Sequence, residues 1–191
     1  MRRALKKALT VSLGQYRFNR IYRSTSGHSA PVTPPGIRCE RLEGTLPTSV
    51  ADPQLRERFW YGGDDANGYG LFLEDNLGAA CWFWGPRRFN DPLLWTLREG
   101  EAMLMDVMTA TSCRGQGFAP LLIRYASADM WRIGCNLLYA FIWHNHHASC
   151  HAFEKAGWRQ VAWVLQIQPF GISRVLRFCW STRLNRGHSD G

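Results

Sequence analysis

The stretch Arg114-Gly115-Gln116-Gly117-Phe118-Ala119 has the composition of an anion-binding loop. Small residues let backbone N–H groups close on a phosphate, and a helix starting there adds a partial positive charge. Pro120 suits the first turn of such a helix, where its missing N–H costs nothing. The loop lacks the Gly-Lys-Ser/Thr ending of a nucleoside-triphosphate loop. Nor is it a dinucleotide fingerprint, because Pro120 holds the place of the last glycine. Taken alone, it also reads as a tight strand-to-helix turn that needs glycine for its geometry.

A second chemical cluster follows. His144, His146, His147 and His151 crowd one loop and helix start. His147 and His151 stand at i,i+4, a zinc-compatible spacing, but no Glu follows His147 and no third ligand lies nearby. No metal is therefore expected. Neutral imidazole is a competent base near pH 7, so His144 or His146 can position or deprotonate an amine.

The elements that must hold these groups are readable from periodicity. Glu101–Thr109 is an apolar strand, Phe118–Ile133 a helix with Leu121, Leu122, Tyr125, Met130 and Ile133 on one face, and Leu137–Trp143 a buried strand. This is a βαβ unit, which predicts two parallel strands with a right-handed crossover. Around it, Ile37–Glu43, Tyr69–Glu74, Ala79–Trp84, Trp158–Gln168 and Ser173–Trp180 read as further strands. Asp75-Asn76-Leu77-Gly78 reads as a hairpin turn, Asp52–Trp60 and Ala148–Lys155 as helices, and Pro86–Glu99 as a loop. The expected class is α/β (mixed α+β), a mixed sheet of about seven strands with helices on both faces.

Composition bounds the rest. The 191 residues are 46% hydrophobic and 13% aromatic, enough for one core. No apolar run reaches the length of a membrane-spanning helix. The net charge of +8 is local: residues 1–39 hold eight Lys/Arg and no acid, which leaves 15 basic against 15 acidic residues beyond them. A nucleic-acid-binding face on the body is not indicated. The six cysteines are widely spaced with no C-x-x-C pair, which predicts free thiols in a reducing, cytoplasmic setting. An Arg-rich, acid-free start also suits a mitochondrial transit peptide.

Leu5, Leu9, Leu13 and Tyr16 fall at helical spacing, with Arg2, Arg3, Lys6 and Lys7 on other faces. A basic amphipathic helix of this kind rests on an anionic membrane surface, or docks on its own domain. Ser24–Gly36 reads as a Pro/Ser/Gly linker. The expected organisation is a basic arm and linker over 1–36, a folded domain over 37–181, and a flexible tail over 182–191.

Arg114-x-x-Gly117-x-Ala119 resembles the acyl-CoA signature of the GNAT acetyltransferase superfamily. Asn145-x-x-Ala148-Ser149, followed by Phe153-Glu154-Lys155-Ala156-Gly157-Trp158, resembles that superfamily's second block. The two blocks stand in the family's order, one helix and one strand apart, and the likeness covers roughly residues 37–180. It implies a GNAT-like twisted sheet with a splayed parallel strand pair. It further implies acetyl-CoA as co-substrate, with Val107, Met108 and Thr109 pairing with the pantetheine. Arg114, Gly115, Gln116, Gly117, Phe118 and Ala119 would hold the pyrophosphate, and Asn145, Ser149 and Phe153 would line the other side.

The implied reaction is direct attack of a neutral primary amine on the thioester. The amine belongs to a small molecule, an amino sugar or a peptide, and the enzyme is a monomer or homodimer. For the proton acceptor, the likeness favours Glu101, thirteen residues before Arg114. Asp106 is the alternative, on the opposite strand face unless a bulge intervenes. Counting back from Ser149, the family's asparagine position falls on His146 and not on Asn145. Phe153 departs from the pattern: many members carry a tyrosine there that protonates the leaving thiolate. Tyr139 or Cys150 can serve instead, the thiolate can leave unaided, or the chain is a binder without turnover. A longer acyl donor, including an acyl carrier protein met by the basic arm, is a further reading.

Overall fold

The computed structural model describes residues 15–25, 30–42, 50–89, 96–168 and 175–182. Strand β1 is Gln15–Thr25 and β2 is Ile37–Leu42. Helix α1, Pro53–Glu57, runs into a 3-10 turn over Arg58–Tyr61. Strands β3, Ala66–Leu73, β4, Asn76–Trp84, and β5, Glu101–Thr109, precede helix α2, Phe118–Arg132. Strand β6, Leu137–Trp143, helix α3, His147–Lys155, and strands β7, Arg159–Gln168, and β8, Leu176–Ser181, complete the set. Among the described residues these eight strands form one sheet in the order β2-β3-β4-β5-β6-β1-β7-β8.

Every neighbouring pair is antiparallel except β5 and β6. That parallel ladder is short, running only from Glu101–Leu137 to Leu104–Ala140. Beyond it, Met105–Thr109 and Phe141–Trp143 part company. The expected βαβ unit is therefore present, with its strands open at their C-terminal ends.

The sheet departs from expectation at β1. Residues 15–25 were assigned to the arm and the start of the linker, yet they lie between β6 and β7 and pair with both. Tyr16, Phe18, Ile21, Tyr22 and Thr25 are strand-forming types, and pairing on both edges overrides a helical spacing that Tyr16 happened to share. Ile21 and Tyr22 are fully buried on opposite faces, Ile21 with Met103, Tyr139 and Val164, Tyr22 with Phe153 and Trp158. Leu5, Leu9 and Leu13, and so the amphipathic helix with its membrane or carrier contact, lie outside the described residues. So does the tail after Thr182. A smaller correction concerns the β3–β4 connection. The turn is Glu74-Asp75, and Gly78 is instead the extra residue of a bulge where Leu71 pairs with Ala79 and Phe72 with Leu77.

Helices α2 and α3 cover one face. Helix α2 buries Phe118, Leu122, Ile123, Ala126, Ser127 and Met130 against Leu71, Cys81, Phe83 and Leu104. Deep in that layer Trp158 Nε1 donates to Ser127 Oγ at 3.1 Å, and Ser127 Oγ donates to the Ile123 carbonyl at 2.6 Å. The opposite face holds α1 and its 3-10 turn over Phe72, Leu77, Ala80 and Trp82. No helix among the described residues is long and apolar enough to cross a membrane.

Candidate active site

The loop at the end of β5 is shaped by two glycines. Gly115 and Gly117 have φ of 79° and 80°, a region that side chains with a Cβ rarely adopt. A Cβ built at either position meets nothing within 4 Å, so the space beside both backbones is open. Gly117 leads directly into α2, whose first-turn N–H groups have no intrahelical acceptors. The Phe118 side chain is buried in the core, which leaves its backbone to the loop. A phosphate fits this cradle sterically and electrostatically.

The loop is braced from α1. Asp52 Oδ1 accepts from Gln54 N and Leu55 N, capping the helix, while Oδ2 accepts from Thr111 N at 2.8 Å. The Thr111 N–H, with the two cap donors, holds the Asp52 carboxyl below its usual range. Arg114 donates to Gln54 Oε1 at 2.9 Å and leans on the Thr109 carbonyl. Gln116 reaches back to the Ser112 carbonyl at 3.3 Å. A cavity of about 710 Å³ flanks the same loop beside the β3–β4 turn, between Asp52, Glu74 and Gln116.

The two candidate bases are separated by the ladder. Glu101 sits at its closed end, where Oε2 accepts from Arg98 N at 2.9 Å and fixes the preceding turn. At about 3.3 Å per residue, Met105 and the split lie about 13 Å further along. Asp106 is at the split. Trp82 pairs with Asp106 and Phe83 with Leu104, so Met105 is an extra residue in β5. Leu104 and Val107 pack on the α2 side, whereas Met105 joins the opposite core and Asp106 stands across from Trp82 on that same face. The intervening bulge thus turns two consecutive side chains to one face.

Asp106 is 22% exposed and lies 3.6 Å from Arg58 Nε. Burial raises its carboxyl above the usual range, and Arg58 opposes that rise only in part. Asp106 Oδ2 and Arg58 Nε are both buried with no hydrogen-bond partner. Burial, then the Asp106 charge, also pushes up the Tyr61 hydroxyl.

On the far side of the split, His146 precedes α3 and its Nδ1 lies 3.0 Å from Ser149 Oγ. Asn145 is exposed in the adjoining turn. His144 is half-buried against Phe18 and Trp143. His151 lies 3.8 Å from Glu154. Among the described residues, no three His, Cys, Asp or Glu side chains gather as a metal-holding set. Phe153 is buried, edge-on to Trp158 at 5.1 Å and 5.9 Å from Tyr22, whose hydroxyl donates to Glu154 at 2.8 Å.

Sequence reasoning missed Arg58, Trp60 and Tyr61, which the 3-10 turn brings over β4 and β5. The run Arg58-Phe59-Trp60-Tyr61 was the available signal, read as part of a helical acceptor region with no single side chain picked out.

The sequence matches the model of the acetyltransferase (GNAT) family over residues 39–158. No curated protein matches it. Among solved structures, a GCN5-related N-acetyltransferase from Kribbella flavida aligns with TM-score 0.54 and 14% identity, over 81% of this chain and 59% of that one. One from Sphaerobacter thermophilus gives 0.50 and 13%, over 95% and 56%. A Bacillus subtilis acetyltransferase in complex with CoA gives 0.50 and 17%, over 66% and 79%. These likenesses show the fold. The chain spans between 56% and 64% of the length of the first three solved structures it matches.

Proposed function

Because the chain belongs to the GNAT acetyltransferase family, we propose that it transfers an acetyl group from acetyl-CoA to a primary amine in a ternary complex. One observation carries the reading: the β5–β6 ladder stops at Leu104 and Ala140, and the opened strands lead to a loop of two open-faced, positive-φ glycines. A thioester supplies an activated acyl carbon there. Backbone groups of Val107, Met108 and Thr109 border the split on one side, with Asn145, Ser149 and Phe153 on the other. Backbone N–H groups from Arg114 to Ala119 take the pyrophosphate.

Asp106 is the proton acceptor. As the amine nitrogen bonds to the acyl carbon and the C–S bond breaks, the ammonium proton passes to the Asp106 carboxylate, directly or through one water. Its raised affinity for protons makes it a better base than a solvated carboxylate. The CoA thiolate takes its proton from solvent. His146, held by Ser149, is the second candidate base.

Phe153 supports one other reading, a CoA-binding module without turnover, because a buried phenyl ring cannot donate a proton. Calorimetric titration with acetyl-CoA tests the donor site. Wild type binds, and Gly117→Glu does not, because a side chain and a negative charge then occupy the phosphate cradle. Binding followed by acetylation in an amine screen establishes the enzyme, binding without turnover establishes the module, and no binding overturns both.

A further inference from the structure

Three rings form a column over β4, beside Asp106. Trp82, buried, stands across from Asp106 on β4. Tyr61 stacks on Trp82 with centroids 6.0 Å apart and planes at 27°. Trp60 stacks on Tyr61 at 3.9 Å and 27°. The column ends in solvent: Trp60 is 60% exposed, more than Phe178 at 51% or Trp180 at 44%.

The outermost ring is packed against both Tyr61 and Trp84. Trp84 meets Trp60 edge-on at 6.0 Å, and its Nε1 donates to the Tyr61 carbonyl at 2.8 Å. Arg88 donates to the Trp60 carbonyl at 3.2 Å and lays its guanidinium over Trp84 at 4.7 Å. Folding gains little from fixing an indole that stays in water. A binding partner gains directly, because the ordering cost is met beforehand. At the base of the column, Asp106 Oδ2 and Arg58 Nε face each other at 3.6 Å, and neither has a hydrogen-bond partner.

We propose that Trp60, backed by Tyr61 and Trp82, is the acceptor platform, and that it selects primary amines carried on a planar aromatic ring. The inference rests on the acyl-transfer reading and names its substrate class. The ring adds a fourth member at the outer end of the column, and a flexible linker carries the amine back past Trp60 and Tyr61 toward Asp106. Stacked aromatic pairs add a preference of about three- to tenfold over contact area alone. The platform should therefore discriminate by planarity as well as by size.

The test pairs 4-phenylbutylamine with 4-cyclohexylbutylamine, which match in linker and closely in basicity but not in planarity. Each is titrated calorimetrically into wild type and Trp60→Leu, and each is assayed as acceptor at saturating acetyl-CoA. Wild type should bind the phenyl amine about three- to tenfold more tightly, with a KM lower by the same factor. Trp60→Leu should remove that difference while its melting temperature and acetyl-CoA affinity match wild type. Equal affinity for the two amines, or a preference that survives in Trp60→Leu, overturns the platform even if acetylation is observed. If acetyl-CoA fails to bind, the acyl-transfer reading falls, and the amine titrations still decide whether the ring column is a binding surface.

Discussion

Ile21→Ala tests whether β1 belongs to the folded unit. Ile21 is 1% exposed and packs against Met103, Tyr139 and Val164 in the middle of a strand paired on both edges. Truncating a buried Ile to Ala costs about 2 to 5 kcal/mol, from lost transfer energy plus the cavity left behind. In a domain of this size each kcal/mol moves the melting temperature by about 2 to 4 °C, so a fall of roughly 4 to 20 °C is expected. Urea titration should show a lower midpoint with an unchanged slope, since the surface exposed on unfolding is the same. Thr25→Ala, at the exposed end of the same strand, should shift stability by less than about 1 kcal/mol. A residue on an undocked arm would give about 0.5 kcal/mol or less for either change. If Ile21→Ala melts within 2 °C of wild type, the placement of β1 is wrong.

Asp106→Asn should lower kcat by about a hundredfold or more, with acetyl-CoA affinity retained by calorimetry, as expected for loss of a general base. The same variant reports on stability. A raised native-state pKa means that the folded protein holds the Asp106 proton more tightly than the unfolded chain does. Wild type should therefore lose stability relative to Asp106→Asn as pH rises from the ordinary carboxylate range through the elevated value, as melts at stepped pH will show. An opposite slope would mean that Arg58 outweighs burial. Ser127→Ala should cost about 1 to 3 kcal/mol in chemical denaturation, because it leaves the buried Trp158 N–H without its acceptor.

The parts of the site that depend on local chain chemistry were visible in the residues alone. Gly115 and Gly117 announce their backbone geometry, and the apolar faces of Phe118–Arg132 and Leu137–Trp143 announce the helix and strand that flank the loop. What depends on a distant partner was not visible. The face that Asp106 presents is set by Trp82 and Phe83, because a bulge is a property of two strands. Glu101 is attractive by its spacing to Arg114, yet its distance from the split depends on where β6 starts to pair. Residues 15–25 alternate well enough for a strand, but both of their partners lie more than a hundred residues away. Nothing nearby in the chain distinguishes such a segment from an arm.

The interior position of β1 sets a problem of timing during synthesis. Its antiparallel neighbours are translated more than a hundred residues later, with Thr25 waiting for Leu137 and Gln15 for Gln168. At about 5 to 20 residues per second, that interval is about 6 to 30 seconds. Throughout it, a segment carrying Tyr16, Phe18, Ile21 and Tyr22 has two unpaired edges. The β7–β8 hairpin cannot join the sheet until that segment docks, since β1 alone links it to β6. Arg17, Arg20 and Arg23 punctuate the strand at every third position, breaking each apolar run with charge. Like-charged segments on neighbouring nascent chains then repel rather than pair, and the strand stays available for the partners its own ribosome has yet to deliver.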